Sequence, residues 1–388
     1  MRIFLLLAIL YLSLTGVLSA ENIRINIQVK VPEYTPDHVF ITGNINQLGN
    51  WIRHEKKLNK IAKDLFEINL SVPEKEKIQF KFTLGSWASV QKGENNEELP
   101  NNIIKAGVND KYSYQVHNWA SLGHEAKSHT RTGNFEFLKK FHSSSMGNTR
   151  DILVYLPPSY KEMAKKRYPV LYMHDGNNIF DTVTSFAGVE WEVDEAVQSL
   201  IKEGLLAEII IVGVYNTGSR MHEYTPVKDK KYGGGGGDKY LNFLVYELMP
   251  VINKKFRTRT GPENTALMGS SLGGLISLFA AFKYNKFFGQ VGVMSPSLWW
   301  ADCHMLDFVV KQKKNQVRIW LDMGTREGKS ALDNARKMNT ILQKMKYKHG
   351  QDYFYYEHKG AIHNEAFWAQ RLHLPLLFFY KVSENQAR

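Results

Sequence analysis

Hydrophobic and polar positions follow two different patterns along the chain, and the change between them divides it into two parts. In the first part, residues 21–118, apolar and polar residues alternate in IRINIQVKV and LFEINLSV, and VFITGNI and IQFKFTLG are short β-rich runs broken by Gly or Asn. A period of two places successive side chains on opposite faces of half-buried strands. We therefore predict a small all-β sandwich for this part of the chain.

In the second part, residues 134–388, strand patterns alternate with helix patterns. AEIIIVGVYN is a nearly continuous apolar run, typical of a strand buried on both faces, whereas YLNFLVYELMPVINKKF and SALDNARKMNTILQKMK have helical spacing. This order predicts an α/β domain with a mostly parallel sheet and helices on both sides. Residues 119–133 between the two parts are polar and aperiodic, which predicts a linker. For the five-glycine run Gly233–Gly237 we favour a flexible loop over a flap at a site.

The first twenty residues, MRIFLLLAILYLSLTGVLSA, have the layout of a secretory signal peptide. One early cation, Arg2, precedes an apolar run, and small residues follow it before Glu21. The apolar run is too short to span a bilayer, which takes about 20 residues. We predict export, with cleavage near Ser19 or Ala20, to the periplasm or the exterior, and no stable membrane insertion.

Composition excludes some classes of function. With 388 residues, 43% of them hydrophobic and 23% charged, the chain has the composition of a soluble protein of about two domains. The formal net charge is +12, but the lysines are scattered and no nucleic-acid motif is present, so we expect no nucleic-acid partner. Cys303 is the only cysteine, which excludes an intrachain disulfide and a cysteine-based zinc site. No metal or organic cofactor is predicted, and the oligomeric state stays open.

The stretch MGSSLGG carries the candidate nucleophile. Its G-x-S-x-G frame centres on Ser271, between the strand pattern TALM and the helix pattern GLISLFAAF. A tight strand-to-helix turn of this kind exposes the serine hydroxyl and directs the backbone N–H of Leu272 at a bound carbonyl oxygen. The alternative is a glycine-rich turn without chemistry, with Ser270 as the inward-facing neighbour.

A nucleophilic serine needs a base and an acid that orients the base. His363 stands in a loop between the strand pattern DYFYYEH and the helix pattern EAFWAQRL, and we predict it as the base. For the acid we rank Glu327, just beyond the strand VRIWLDMG, before Asp333 and Asp322. The choice among these three carboxylates stays open at this point.

Residues 134–388 resemble the esterase D and enterochelin-esterase-like group of α/β-hydrolases, which includes feruloyl and acetyl-xylan esterases and mycolyltransferases. The resemblance is carried by DILVYLPPSY, YPVLYMHDGNN, GSSLGGL, SPSLWW, LDMGTRE and HNEAFW. It implies ester hydrolysis or acyl transfer by Ser271, Glu327 and His363. It also implies a second oxyanion donor from the backbone of Gly176 or Asn177.

Two further stretches match that group. The resemblance implies that YNTGSRMHEYTP, Tyr215 to Pro226, is a loop bordering the active site. In SPSLWW it implies that Trp299 and Trp300 line an acyl pocket; the alternative is that both tryptophans belong to the core.

Residues 21–118 resemble a starch-binding module of carbohydrate-binding family 20, through VFITGNINQLGNW, IQFKFTLGSW and LPNN. In that family aromatic rings stack on sugars. Trp51 and Lys81 match a tryptophan and a lysine of its binding site. The second tryptophan of the site is not matched cleanly, because Lys92 stands near that place and Trp87 comes five residues earlier. The alternative is a sandwich that serves only as a spacer.

Together these observations predict a secreted serine esterase that acts on acyl esters of a polysaccharide or on related phenolic esters. One alternative is a siderophore-ester hydrolase or an acyltransferase. Another is a glycan-binding protein whose hydrolase domain is inactive.

Overall fold

The computed structural model describes residues 22–51, 54–120 and 129–382. The predicted signal peptide, residues 1–20, and residues 121–128 of the predicted linker lie outside the described residues. The chain divides into two compact units. The second unit contains Trp87–Val90, Asn96–Pro100 and the chain from Trp119 onward, and the first contains the rest.

The N-terminal part of the chain is all-β, as predicted. Its strands are β1 Asn22–Lys30, β2 Phe40–Gly43, β3 Lys56–Lys57, β4 Asn59–Ala62, β5 Leu65–Pro73, β6 Lys77–Thr83, β7 Gln91–Lys92, β8 Asn102–Lys105, β9 Lys111–Gln115 and β10 Asn118–Trp119. Two four-stranded sheets have the orders β4-β5-β1-β9 and β3-β2-β6-β8. The alternation read in the sequence is borne out in β1, where Ile25, Ile27 and Val29 are buried and the residues between them are not.

The second unit is built on one large sheet. The strands of this unit are β11 Asn134–Ser143, β12 Asn148–Leu156, β13 Val170–His174, β14 Ile210–Val214, β15 Lys228–Asp229, β16 Gly233–Gly234, β17 Thr265–Ser270, β18 Gln290–Met294, β19 Arg318–Gly324 and β20 Tyr353–His358. Of these, β15 and β16 form a separate two-stranded sheet. Its helices are α1 Val193–Lys202, α2 Arg220–Glu223, α3 Gly237–Asn242, α4 Met249–Lys255, α5 Leu272–Lys283, α6 Trp300–Val310, α7 Lys329–Lys344, α8 Glu365–Arg371 and α9 His373–Tyr380. A π-helical turn, Phe243–Leu248, joins α3 to α4.

The large sheet has the order β11-β12-β14-β13-β17-β18-β19-β20. Its first pairs, β11 with β12 and β12 with β14, are antiparallel, and every later pair is parallel. This is an α/β-hydrolase-type fold, and it confirms the predicted mostly parallel sheet. Consecutive strands from β17 to β20 are neighbours, so the loops at their carboxyl ends open on one edge of the sheet.

Both faces of this sheet are covered. On β13, Tyr172 packs into the core that contains residues of α5 and α7, whereas its neighbour Met173 packs into the core that contains residues of α1 and α9. Such double burial explains why the central strands read as continuous apolar runs instead of alternating ones. It also leaves the strand ends as the places where polar side chains gather.

Two segments differ from the sequence-based expectation. The described ends of the predicted linker are packed, since Trp119 is fully buried and the backbone N–H of Thr132 donates to Asp194 Oδ2 at 2.5 Å. The five-glycine run is packed as well, because Gly234 pairs with Lys228 in a hairpin and a Cβ on Gly234 would lie 2.7 Å from the Trp300 ring. Among the described residues, no helix combines the length and the apolar character needed to cross a bilayer.

Candidate active site

Ser271 occupies a strained turn between β17 and α5. Its φ of 58° and ψ of −122° lie in a region that residues with a side chain rarely adopt. Three backbone hydrogen bonds hold the turn: its N–H donates to Met294 O at 3.1 Å, and its carbonyl accepts from Leu275 and Ser297 at 3.0 Å each. The side chain is half-exposed, whereas the neighbouring Ser270 is buried in the sheet.

The glycines of this turn are required by close packing against His174 on β13. A Cβ on Gly269 would lie 2.8 Å from the His174 ring, and a Cβ on Gly273 would lie 3.2 Å from His174 Cβ. Burial lowers the pKa of His174 to about 3, so the ring is neutral, and its Nδ1 is 2.9 Å from Tyr240 Oη. His174 is therefore a packing residue beneath the turn.

The end of β18 contacts both the serine turn and the neighbouring acid. Ser271 Oγ lies 3.2 Å from Ser297 Oγ, and Ser295 Oγ donates to Glu327 Oε1 at 2.6 Å. In the described part of the chain, the Ser271 hydroxyl hydrogen-bonds to Ser297 and not to the imidazole of His363. Catalytic hydrogen bonds are often long in ligand-free proteins, so this rotamer is compatible with later contact to a base.

Glu327 and His363 form a close pair. His363 Nδ1 is 2.6 Å from Glu327 Oε2, and the backbone N–H of Gly324 donates to Glu327 Oε1 at 2.7 Å. Burial acts to raise the pKa of Glu327, but His363, the Ser295 hydroxyl and the Arg371 guanidinium together hold it below its ordinary value. An ionised carboxylate at this place fixes the proton of His363 on Nδ1 and leaves Nε2 as the basic nitrogen.

A buried network positions Glu327. Ser295 Oγ accepts from Trp368 Nε1 at 3.0 Å and from Arg371 Nη2 at 2.6 Å while it donates to the carboxylate. Arg371 is 1% exposed and also donates to Asp322 Oδ1 at 2.9 and 3.0 Å. The Trp368 ring meets the His363 ring edge to face, 5.0 Å between centroids.

The other candidate acids have different partners. Asp322 is fully buried on β19, where it pairs with Arg371 and accepts from Trp320 Nε1 at 2.8 Å. Asp333 is on the exposed side of α7 and pairs with Lys329 at 2.6 Å. Of the three carboxylates, only Glu327 hydrogen-bonds to a histidine ring within the described part of the chain.

The candidate oxyanion donors lie at the starts of two helical segments. Leu272 is the first residue of α5, and Gly176 and Asn177 begin the short 3-10 turn Gly176–Asn178 after β13. The first N–H groups of a helix have no partner within it, so they can donate to an anion. Gly176 is pressed against β14, since a Cβ there would lie 2.4 Å from the carbonyl carbon of Gly213.

The loop from Tyr215 to Pro226 is attached to the residue before that turn. Arg220 donates to Asp175 through Nε at 2.6 Å and through Nη2 at 2.8 Å, and Asn216 Nδ2 adds a bond at 2.6 Å. Burial would raise the pKa of Asp175, but the Arg220 guanidinium outweighs it and holds the pKa below its ordinary value. The bidentate pair fixes the loop beside the turn that carries Gly176 and Asn177.

The two tryptophans after β18 have different environments. Trp300 is buried, and its Nε1 donates to Val227 O at 2.8 Å. Trp299 is 45% exposed, and the ring of Tyr232 meets it edge to face at 5.8 Å. Trp300 is thus a core residue, whereas Trp299 presents aromatic surface to solvent beside the partly buried Tyr232.

The predicted sugar-binding residues fall in different units. Trp51 ends the 3-10 segment Asn46–Trp51, which packs on β2, and Lys81 stands opposite Thr42 of β2 on the neighbouring strand β6. Trp87 belongs instead to the second unit, where its ring is 5.4 Å from that of Phe186.

Sequence reasoning missed the residues that support the site. Ser295 and Ser297 are part of SPSLWW, a stretch noted for its tryptophans, and Arg371 lies in the helix pattern after His363. A small polar residue directly after a buried strand is the signal that could have identified the serines. The buried arginine gives no local signal, because its partners are 49 and 76 residues away.

Comparison with known proteins agrees with this architecture. The family model named Esterase matches residues 143–379, and the model described as a starch binding domain matches residues 22–116.

Three curated relatives have similar sequences. "Uncharacterized protein YbbA" of Bacillus subtilis is 26% identical over 251 residues, which is 61% of this chain and 95% of that protein. An endo-1,4-beta-xylanase/feruloyl esterase of Xylanibacter ruminicola is 26% identical over 50% of this chain and 25% of that protein. A siderophore triacetylfusarinine C esterase of Aspergillus fumigatus is 30% identical over 36% of this chain and 48% of that protein.

Among solved structures, the enterobactin esterase FES of Shigella flexneri, determined in the presence of enterobactin, aligns with a TM-score of 0.55. The alignment covers 93% of this chain and 94% of that one at 15% identity, so it reports the fold alone. The Esterase model covers more than half of this chain. The chain therefore belongs to the esterase family of α/β-hydrolases and is a carboxylic ester hydrolase of the serine hydrolase type.

Proposed function

We propose that Ser271, His363 and Glu327 are the nucleophile, the base and the orienting acid of this esterase. The observation that carries the proposal is the shared contact with the end of β18. Ser271 bonds to Met294 and Ser297, and Glu327 bonds to Ser295 while it holds His363 at 2.6 Å. One short segment thus brings the strained serine and the carboxylate–imidazole pair to the same edge of the sheet.

Acylation then proceeds by proton transfer and addition. Ser271 Oγ attacks the ester carbonyl while His363 Nε2 takes its proton, and Glu327 stabilises the imidazolium. The N–H groups of Leu272 and of Gly176 or Asn177 donate to the oxygen that becomes negative. When the tetrahedral intermediate collapses, His363 returns the proton to the departing alkoxide, and an acyl-serine and an alcohol result.

Deacylation repeats the steps with water in place of the serine. His363 Nε2 takes a proton from water, the hydroxide adds to the acyl carbonyl, and Ser271 Oγ leaves with the proton that His363 returns. The products are a carboxylic acid and the free enzyme. An acyl transfer would differ only in the nucleophile of this second half.

Both parts of the chain support the proposed substrate class. We propose that the substrates are acyl esters of a polysaccharide or related phenolic esters. The N-terminal leader directs export of the enzyme, which hydrolyses these esters outside the cytoplasm. A starch binding domain model matches residues 22–116, and one relative is an endo-1,4-beta-xylanase/feruloyl esterase. Trp299 supplies exposed aromatic surface after β18, and the partly buried ring of Tyr232 on the glycine hairpin packs against it, which suits an aromatic acyl group.

The N-terminal unit contributes the sugar contact in this assignment. Trp51 and Lys81 lie on elements that both adjoin β2, which supports a shared site on that sheet. Binding to insoluble starch should fall in Trp51→Ala. Equal retention of wild type and variant on starch would remove the sugar-binding role and leave the sandwich as a spacer.

A siderophore ester is the second candidate substrate. It is favoured by the 30% identity to a triacetylfusarinine C esterase over 147 residues. Steady-state kinetics on acetylated xylan, feruloylated oligosaccharides, and catecholate and hydroxamate siderophores with and without iron separate the two. A kcat/KM at least tenfold higher on a siderophore would replace the polysaccharide assignment.

The catalytic roles are tested with p-nitrophenyl acetate. Ser271→Ala should lower kcat by a factor of about 10⁴ or more. Ser270→Ala serves as the matched control, because Ser270 is 2% exposed and its neighbour carries the strained backbone. Activity that survives in Ser271→Ala, or that disappears in both variants with the fold intact, would contradict the assignment.

A further inference from the structure

Three carboxylates gather at the start of α1, away from the residues proposed for catalysis. Glu190, Asp194 and Glu195 each place a carboxylate oxygen within 4.8 Å of the other two. Glu190 is 5% exposed, Asp194 is 0% exposed, and Glu195 is half-buried. Acidic side chains are rarely buried without a partner, so such a cluster needs a compensating group.

Each of the three carboxylates keeps one buried oxygen without a hydrogen bond among the described residues: Glu190 Oε2, Asp194 Oδ1 and Glu195 Oε2. Two of the opposite oxygens are satisfied from the segment before β11. Thr130 Oγ1 donates to Glu190 Oε1, and Thr132 donates to Asp194 Oδ2 through its N–H at 2.5 Å and its hydroxyl at 3.2 Å. Thr130 and Thr132 thus hold two of the carboxylates in place, while each of the three keeps one buried oxygen that has no hydrogen bond among the described residues.

The neighbouring basic side chains of the described chain pair with a different carboxylate. His129 and Arg131, on the segment that covers the cluster, both pair with Asp181, at 2.6 and 3.3 Å. In the described ranges, no ion pair reaches Glu190, Asp194 or Glu195. Buried carboxylates without a counter-charge are unfavourable, so the cluster needs a positive charge among its three groups.

We propose that Glu190, Asp194 and Glu195 bind one Ca²⁺ ion. The donors are all oxygens, which selects hard cations over zinc or copper. Ca²⁺ binds oxygens at about 2.3–2.6 Å, so two of its ligands can be up to about 4.6–5.2 Å apart. Three oxygens within 4.8 Å of one another lie no more than about 2.8 Å from a common point, so a shift of a few tenths of an ångström brings all three onto one Ca²⁺. Mg²⁺, with bonds of about 2.0–2.1 Å and a strict octahedron, suits three buried carboxylates less well.

The site is linked to the turn that carries Gly176 and Asn177. Trp191, next to Glu190, donates its N–H to Asn178 O at 3.0 Å, and the N–H of Val193 donates to Ile179 O at 3.0 Å. The Trp191 ring also meets the Trp368 ring at 5.5 Å. A bound Ca²⁺ fixes the backbone that supports this turn, so it stabilises the fold first and affects turnover only through that backbone.

Isothermal titration of the EGTA-dialysed full chain with CaCl₂ tests the proposal. We expect one Ca²⁺ per chain, a rise in Tm of several degrees at saturating Ca²⁺, and at least tenfold weaker binding in Asp194→Asn and Glu190→Gln. Asp333→Asn is the control, because Asp333 is an exposed acid paired with Lys329. No heat and no Tm shift at millimolar Ca²⁺ in the wild type would overturn the proposal, as would tighter binding of Mg²⁺ than of Ca²⁺.

A second measurement does not depend on whether the acidic variants fold. Tb³⁺ takes the place of Ca²⁺, and Trp191 lies between two of the proposed ligands in the chain. Excitation of tryptophan should therefore give Tb³⁺ luminescence that Ca²⁺ quenches, and most of it should disappear in Trp191→Phe. Luminescence that Ca²⁺ does not displace, or that Trp191→Phe leaves unchanged, would place the ion elsewhere. Neither readout depends on esterase activity, so failure here leaves the catalytic proposal intact.

Discussion

Replacing Ser295 by alanine tests whether the network behind Glu327 positions the carboxylate. Three hydrogen bonds meet at the Ser295 hydroxyl: one to Glu327 Oε1 at 2.6 Å, one from Arg371 at 2.6 Å and one from Trp368 Nε1 at 3.0 Å. Arg371 keeps Asp322 and a backbone carbonyl, and Glu327 Oε1 keeps the N–H of Gly324. Within the described chain, the indole N–H of Trp368 has no second acceptor and is left buried and unpaired.

The expected magnitude follows from those contacts. An unpaired buried donor costs about 1–3 kcal/mol, so the free energy of unfolding should fall by that amount in Ser295→Ala. Glu327 also loses one charge-assisted hydrogen bond, and a loss of about 1.4 kcal/mol in the transition state corresponds to a tenfold lower kcat. Since Ser295 orients the acid and touches no substrate, KM should change little.

Urea unfolding and p-nitrophenyl acetate kinetics measure both effects. Ser277→Ala is the control, because Ser277 is a fully buried serine of α5 whose hydroxyl has no partner among the described residues. Removing this unpaired buried hydroxyl should not lower the free energy of unfolding, because no hydrogen bond is lost. If Ser295→Ala matched Ser277→Ala in stability and in kcat, the positioning role would be refuted.

Three further predictions concern neighbouring residues. Glu327→Gln should lower kcat on p-nitrophenyl acetate by a factor of about 10³ or more, whereas Asp333→Asn should leave kcat unchanged. Asp322→Ala should instead lower the free energy of unfolding by about 3–5 kcal/mol, because buried Arg371 loses its carboxylate partner. Equal kcat in Glu327→Gln and wild type would exclude Glu327 as the acid of the triad. Trp299→Ala should raise KM for feruloyl esters and not for acetyl esters, whereas Trp300→Ala should cost about 3–5 kcal/mol of folding free energy; a KM change on both ester types would argue against an aromatic acyl pocket. The folded pKa of Asp175 lies below its ordinary 3.8, so its ion pair with Arg220 stabilises the fold above that pH and is lost as the pH falls through the folded pKa. In urea unfolding, the free energy of unfolding of the wild type should exceed that of Asp175→Asn by the full amount at pH 6 and by less below about pH 4. A difference between the two proteins that does not change with pH would contradict a role for the ionised Asp175 carboxylate.

The sequence predicted the elements whose pattern is local. Period-two alternation identified β1, and helical spacing identified α7. When one face of a strand or of a helix is buried, apolar residues recur at a fixed spacing along the local sequence. The turn at Ser271 was predictable for the same reason, since the strand, the glycines and the helix are contiguous. Glu327 and His363 were predictable from sheet order, as each follows one of two adjacent parallel strands.

What the sequence did not predict depends on contacts between distant segments. The bond from Arg371 to Ser295 joins residues 76 apart and exists only when α8 docks against the end of β18. The acids around the start of α1 give no local signal of burial, and the hydrogen bonds that Glu190 and Asp194 accept come from Thr130 and Thr132, about 60 residues earlier in the chain. The five glycines looked flexible, yet Gly236 packs so closely that a Cβ would lie 2.4 Å from His222 Nε2.

Covalent labelling of the intact protein with a fluorophosphonate, followed by peptide mass spectrometry, is the most direct test of the nucleophile. The account predicts one phosphonylated residue, Ser271, with labelling abolished in Ser271→Ala, strongly slowed in His363→Ala and unchanged in Ser270→Ala. An adduct at any other serine, or labelling of Ser271→Ala at the wild-type rate, would contradict it.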